Sequence, residues 1–395
     1  MARCRSCSAH ADVSIALTNG ILYTGDDVLV DHAVVIRGET ITAVVPNREV
    51  QREVEWIDLG GRSVAPGFVD LQVNGGGDVL FNDDPTGPAI EGIAAAHRRY
   101  GTTDLMPTYV TGPLDGMAQA TEAVAACARD RHLPGVLGIH FEGPAINPAK
   151  TGAHDRDWAR ADGWDELLSV YATAAARVRT LVTLAPEVVP RGFIADLARR
   201  GVRVSAGHTD ATSEELAEAI TEGLTGGTHL WNAMSSMTSR APGAVGALLA
   251  DDRVWCSVIA DGHHVDFTTL AVTFRAKPRG KAFLVSDAMP PLGGSTNQFH
   301  LGVRAATARD GRCVTADGTL AGSVTDLAAA VRNCVRHVGV APDEALRMAS
   351  LYPAQYLGVD DRLGRIRPGF SARFAIFDDD FNVSAVVVDG VLYPT

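Results

Sequence analysis

Four residues stand out for the chemistry they could do together. Glu142 ends the apolar run of "GIHFEGPAI", His208 stands in "SAGHTD", His229 in "GTHLWNAM" and Asp287 in "FLVSDAMPP". A carboxylate and two imidazoles make the donor set of an open divalent-metal site that keeps a position for water. Such a metal lowers the pKa of that water towards about 7. A neighbouring carboxylate, here Asp287, can then take the proton and later hand it to a leaving group. Each residue alone has a plainer role, since a strand-end acid can cap a turn and a lone histidine can be a structural hydrogen-bonder. His208 and His229 are 21 residues apart on consecutive apolar runs, which favours the joint reading. The chemistry implied is hydrolysis of an amide or related bond.

The elements that must position these residues alternate in texture. Eight short apolar runs occur at Phe68–Val73, Thr103–Thr108, Val136–Glu142, Thr180–Glu187, Val202–His208, Gly227–Asn232, Trp255–Asp261 and Ala282–Asp287. Helical patterns at Ala89–Tyr100, Leu114–Arg131, Trp164–Arg177, Phe193–Arg200 and Ser213–Glu222 fill most of the gaps. Continuous apolar strands with crossover helices between them read as a buried parallel sheet. Eight of them predict an α/β fold, a (β/α)8 TIM-like barrel spanning 65–362. Six of the runs end in polar residues: Gln72 and Asn74, Glu142, His208, His229 with Asn232, Asp261 with His263 and His264, and Asp287. In a barrel those ends face one mouth.

Residues 13–64 and 363–395 differ from this pattern. Both stretches are rich in Val and Ile and are broken by turns such as Asn19-Gly20 and Arg37-Gly38. Neither can bury a core alone. They are expected to pair into one small β-sandwich domain built from both chain ends. Residues 1–12 read as a disordered extension. Its Cys4 and Cys7 lack the second pair that a zinc ribbon needs.

The chain has 395 residues, 46% of them apolar, with 35 Lys plus Arg against 47 Asp plus Glu. The net charge of −12 excludes a general nucleic-acid binder, while leaving room for a local basic pocket. No apolar run approaches the ~18 residues of a membrane span, and no signal peptide is visible. A cytoplasmic protein with no nucleic-acid or membrane partner is expected. Cys127, Cys256, Cys313 and Cys334 sit in apolar contexts and read as small core residues.

The segments "PGFVDLQVNGGG", "HFEGPAINPAKTGAH", "SAGHTDAT", "GTHLWNAMS", "ADGHHVD", "SDAMPP", "GTLAGSV" and "LYPAQYLGV" follow one another in a telling order. Over about residues 13–392 the sequence resembles the N-acetylglucosamine-6-phosphate deacetylases of the amidohydrolase superfamily. The resemblance implies Glu142, His208 and His229 as ligands of one divalent metal per chain, zinc first, with iron, cobalt and manganese also tolerated. It implies Asp287 as the catalytic acid and base. It also implies substrate contacts at Ala153, His154, Asn232, Ala233, Arg240, His264, Leu320, Ala321 and Gly322. Arg240 and His264 match phosphate-binding positions, in a site completed across a homodimer interface. The implied substrate is a small phosphosugar.

Three departures qualify the match. Gln72 and Asn74 stand where many amidohydrolases carry the His-x-His of a second metal. Amides are poor ligands for softer ions, so one metal is expected. Arg373 stands where related tails often carry Asp, in the β domain and away from the chemistry. The first eleven residues match nothing in the family. His97, His132, His300 and His337 read as surface or helix histidines with no role. The expected reaction is deacetylation of N-acetyl-D-glucosamine 6-phosphate to D-glucosamine 6-phosphate and acetate. The competing readings are an amidohydrolase acting on a cyclic amide or another N-acetylated amino sugar, and a catalytically dead scaffold. Arg240 and His264 argue against a neutral cyclic amide, and the intact ligand set argues against a dead scaffold.

Overall fold

The computed structural model describes residues 14–395, apart from 131, 132, 134 and 161. The extension with Cys4 and Cys7, and His132, lie outside the described residues.

The eight apolar runs become eight parallel strands that pair side by side in chain order. They are β1 (Phe68–Val73), β2 (Thr102–Val110), β3 (Gly138–Glu142), β4 (Arg179–Leu184), β5 (Arg203–Ala206), β6 (Gly226–Gly227), β7 (Trp255–Val258) and β8 (Ala282–Leu284). Every residue of β1, β2 and β3 is buried. Helices cover their outer face and side chains fill the interior, so no position alternates to solvent. The barrel closes just past the strands, where Val73 bridges Ala288 in parallel. There the Asn74 N–H donates to the Ala288 carbonyl and the Asp287 N–H to the Gln72 carbonyl, each at 3.0 Å. The closing seam therefore runs through three residues of interest for chemistry.

A helix follows each strand: α1 (Gly87–Arg98), α2 (Leu114–Cys127), α3 (Trp164–Ala175), α4 (Phe193–Arg199), α5 (Ser213–Glu222), α6 (Gly243–Ala250), α7 (Phe267–Ala276) and α8 (Leu327–Asn333). α5 shows why such segments become helices. Thr212 and Glu215 form a reciprocal capping box, and Leu216, Ala219 and Ile220 bury one face.

The chain ends form a β-sandwich. One sheet has four strands, in the order Thr40–Pro46, His32–Arg37, Ser14–Thr18, Glu55–Asp58. The other has six, and it joins Phe374–Phe377, Val383–Val388 and Val391–Pro394 to Ser63–Pro66, Ile21–Tyr23 and Val28–Leu29. Leu17, Val34, Ile36, Val64, Phe374, Ile376 and Val387 share one buried cluster. Arg373 fastens this domain to the barrel. It pairs with the buried Asp104 of β2 and, at 2.7 Å, with Asp389.

Two further sheets were not expected, one of them the short ribbon of Gly75–Gly76 with Val79–Leu80. Gln298–Leu301, Arg304–Arg309, Arg312–Thr315 and Leu320–Ser323 form an antiparallel meander between β8 and α8. Its inner face, with Phe299, Leu301, Ala306, Cys313 and Ala321, packs on Leu80, Val110, Ala153 and Met289. Among the described residues, no helix is long and apolar enough to cross a membrane.

Candidate active site

The strand ends bring the ligand candidates together. Glu142 ends β3, and His208 and His229 lie just beyond β5 and β6. Their donor atoms fall within 4.8 Å of one another, and all three residues are buried. Glu142 Oε1 lies 3.1 Å from His208 Nε2 and 2.7 Å from His229 Nε2. Hydrogen bonds from both histidines hold the Glu142 carboxyl well below its usual range, although burial alone would raise it. His208 Nδ1 lies 2.8 Å from the Lys150 carbonyl. A carbonyl only accepts, so Nδ1 carries a hydrogen, and Nε2 is left as donor to Glu142 when protonated and as metal ligand once that proton is lost. One carboxylate and two imidazole nitrogens, converging in a buried site with one tautomer fixed, fit a divalent cation of the zinc type.

Asp287 follows β8. Its Oδ1 accepts from Asn74 Nδ2 at 2.7 Å and from Gln72 Nε2 at 3.1 Å. Burial pushes its carboxyl up to about 6, and the charge of Glu142 adds to the rise. The chain is bent sharply here. His208, His229, Ala233 and Asp287 have φ values of 49°, 35°, 48° and 52°. Non-glycine residues in the left-handed region are costly and gather where surrounding structure imposes them, typically at functional sites.

A cavity of about 500 Å³ opens over these groups. Its wall includes Glu142, His208, His229, Asp287, Ala153, His154, Asn232, Ala233, His264, Leu320 and Gly322. His154 approaches Glu142 Oε2 with Nε2 at 3.8 Å and places Nδ1 2.9 Å from Thr111 Oγ1. Burial and the neighbouring His208 push the His154 imidazole down to about 3, so it is neutral at ordinary pH. His264 Nδ1 is held by Asp261 Oδ2 at 2.7 Å. Ala321 lies behind the wall in the meander's apolar cluster. Arg240 is exposed and outside the cavity.

Some wall residues were not foreseen. Lys150 lines the cavity with its Nζ 3.1 Å from Asp210. Leu301, Gly318 and Thr319 of the meander line it too, whereas Asn74, also on the wall, was among the strand-end residues expected at the mouth. His97, read as a surface or helix histidine, sits in α1 but is buried, with Nε2 2.9 Å from the Gly75 carbonyl.

Comparison with known proteins places this geometry. The amidohydrolase family matches residues 63–393 and the NagA composite domain matches residues 15–64. The chain belongs to the amidohydrolase family. As an amidohydrolase it is 34% identical over 378 residues to the N-acetylglucosamine-6-phosphate deacetylase of Haemophilus influenzae, covering 95% of this chain and 98% of that one. It is 40% identical to the N-acetylgalactosamine-6-phosphate deacetylase of Shewanella sp. strain ANA-3, over 85% of this chain and 84% of the relative. The crystal structure of N-acetylglucosamine-6-phosphate deacetylase from Pasteurella multocida superposes with a TM-score of 0.92 at 35% identity. That match covers 97% of this amidohydrolase and 100% of the other chain.

Proposed function

We propose that the protein hydrolyses N-acetyl-D-glucosamine 6-phosphate to D-glucosamine 6-phosphate and acetate. The observation that carries this reading is the buried Glu142–His208–His229 cluster sharing one cavity with Asp287 and His154. At about 500 Å³ the cavity has the size of a small-molecule site.

Glu142, His208 and His229 would hold one divalent cation, zinc first. When bound, such an ion supplies Lewis acidity that acidifies water and polarises a carbonyl. Asp287 takes the proton of the attacking water and returns it to the amide nitrogen as acetate departs. His154 donates from Nε2 to the oxygen that gains charge. For that, its Nδ1 must accept, and the Thr111 hydroxyl 2.9 Å away would have to turn its one hydrogen to Nδ1 from the Glu142 carbonyl, to which it now donates at 3.1 Å. Ala153, Asn232, Ala233, Leu320, Ala321 and Gly322 shape the sugar site. Residues 65–362 carry this machinery, and the sandwich of 13–64 and 363–395 supports it.

Among the described residues Lys150 is the one Lys or Arg on the cavity wall and it is paired with Asp210 at 3.1 Å, while Arg240 is exposed beyond the wall, so the phosphate needs a further cation. Arg240 entering from a second copy, beside His264, completes the clamp in a homodimer. Among the described residues, four buried free cysteines suit a reducing cytoplasm. A second substrate, the 4-epimer N-acetyl-D-galactosamine 6-phosphate, is favoured by the 40% identity to the Shewanella enzyme of that name.

The deciding experiment measures acetate release from both epimers and from unphosphorylated N-acetylglucosamine, with metal analysis on the same sample. The reading expects about one metal per chain, turnover of the glucosamine substrate and loss of turnover without the phosphate. Asp287→Asn should lower kcat by at least ~10² while keeping the metal. Two tight metals per chain, or an Asp287→Asn variant with more than a tenth of normal kcat, would overturn it.

A further inference from the structure

Gln72 and Asn74 stand where a second metal's histidines would be, and the reading above gives them no task. Their amide groups make an unusual arrangement. Both N–H₂ groups donate to the same atom, Asp287 Oδ1, at 3.1 and 2.7 Å. Their own amide oxygens, Gln72 Oε1 and Asn74 Oδ1, are sealed from solvent with no partner. The orientation is not interchangeable, since turning either amide would set its oxygen against a carboxylate oxygen. Among the described residues, seven buried side-chain polar atoms lack a partner, and two of them belong to this pair. Leaving a buried acceptor unsatisfied is costly and calls for a reason. Two such costs, incurred to aim two donors at one oxygen, show which function of the amides is retained.

The backbone adds to the restraint. The Asp287 N–H donates to the Gln72 carbonyl at 3.0 Å, and its carbonyl accepts from the Ser323 N–H at 2.9 Å. Asp287 also lines the cavity. Among the described residues no hydrogen bond reaches its Oδ2, which is not one of the sealed, unpartnered atoms.

We propose that Gln72 and Asn74 are positioning residues for Asp287: they clamp Oδ1, so that Oδ2 is the atom that takes and returns the proton. The two amides thus do for the carboxylate what ligation to a second metal would do, fixing its rotamer and satisfying one oxygen. The catalytic half of this proposal rests on the hydrolytic reading above, whereas the clamp itself does not.

The test uses Gln72→Met and Asn74→Leu, near-isosteres that remove each donor together with its orphaned oxygen. Each should lower kcat by about 10- to 100-fold, as expected when a reacting group loses its alignment. KM and metal content should stay within about twofold. A purely structural role predicts lowered unfolding midpoints, whereas removal of orphaned acceptors predicts midpoints held or raised. In an Asp287→Ala background, Gln72→Met should cause no further loss of the residual rate. Unfolding of the same four proteins should show non-additive effects of the two substitutions. Additive unfolding effects would overturn the clamp. A kcat within threefold of normal, or loss of rate in step with loss of metal, would overturn its role in proton transfer. If the unsubstituted enzyme releases no acetate from either 6-phosphate, the proposed substrate falls, and the unfolding cycle still decides the clamp.

Discussion

Arg304 donates from Nη1 to the carbonyl oxygen of Gly152 at 2.8 Å. With Nη2 it holds Asp317 at 2.7 Å. Gly152 leads into Ala153 and His154, and Asp317 leads into Gly318, Thr319 and Leu320, so one guanidinium spans two cavity walls drawn from distant segments. Among the described residues no other hydrogen bond joins 149–155 to the meander. Arg304→Ala should raise KM by about tenfold, the worth of one charged hydrogen bond, with kcat nearly unchanged. Arg304→Lys should recover part of the loss, because an ammonium cannot present the same fork to both partners. Initial rates across substrate concentrations check this, and a fall in kcat at constant KM would contradict it.

Thr111 governs which nitrogen of His154 carries the hydrogen. Its one hydroxyl hydrogen is donated to the Glu142 carbonyl at 3.1 Å in this arrangement and would turn to His154 Nδ1, 2.9 Å away, when Nε2 carries the imidazole hydrogen. Thr111→Val keeps the shape and removes the hydroxyl. It should lower kcat by about 10-fold or more, approaching the ~10²–10³ loss expected for His154→Ala. Thr111→Ser should stay near normal. Equal activity of the Val and Ser variants would show that the hydroxyl does not set the tautomer.

His97 should make stability depend on pH. Burial pushes its imidazole from 6.5 down to about 4. Above pH 6.5 folded and unfolded chains are both neutral here, and the full contribution is present. As pH falls from 6.5 towards 4, the unfolded chain takes the proton first, and stability is lost by up to about 3 kcal/mol. Urea unfolding of His97→Gln between pH 7 and 4 should show a shallower decline than the unsubstituted chain. Parallel declines would refute the assignment.

The shared phosphate site can be read from mixtures. Arg240→Ala should cost about 2–4 kcal/mol in kcat/KM with phosphorylated substrate and little without the phosphate. Refolded mixtures of Arg240→Ala with Asp287→Asn should regain activity, because a heterodimer gathers both defects into one site and spares the other. Proven heterodimers as inactive as their parents would assign Arg240 to its own chain's site.

The barrel was legible because buried parallel strands read as unbroken apolar runs, and each of the eight runs overlaps a strand. The Glu142, His208, His229 and Asp287 cluster was legible because those runs end in polar side chains. The meander was missed for the opposite reason. Its strands are short and half exposed, and only the alternation around Asp310-Gly311 hints at a hairpin. His97 looked exposed because Arg98 and Arg99 follow it. Its burial depends on Gly76, where an added Cβ would lie 3.0 Å from the imidazole ring, a contact no local pattern reveals. Lys150 was hidden because its part is played largely by its carbonyl, which any residue possesses.

The sandwich couples the two ends of the chain, and this orders events in time. Ser63–Pro66 pairs with Phe374–Phe377, so the inner sheet stays unfinished until synthesis has passed the whole barrel. The strands of 14–66 must therefore wait with an open edge and an uncovered apolar face while some 300 residues are made. At about 5–20 residues per second that wait lasts on the order of tens of seconds. Through that interval the early strands are the part of the nascent chain most open to mispairing, and the Arg373 clasp to Asp104 forms only as the wait ends.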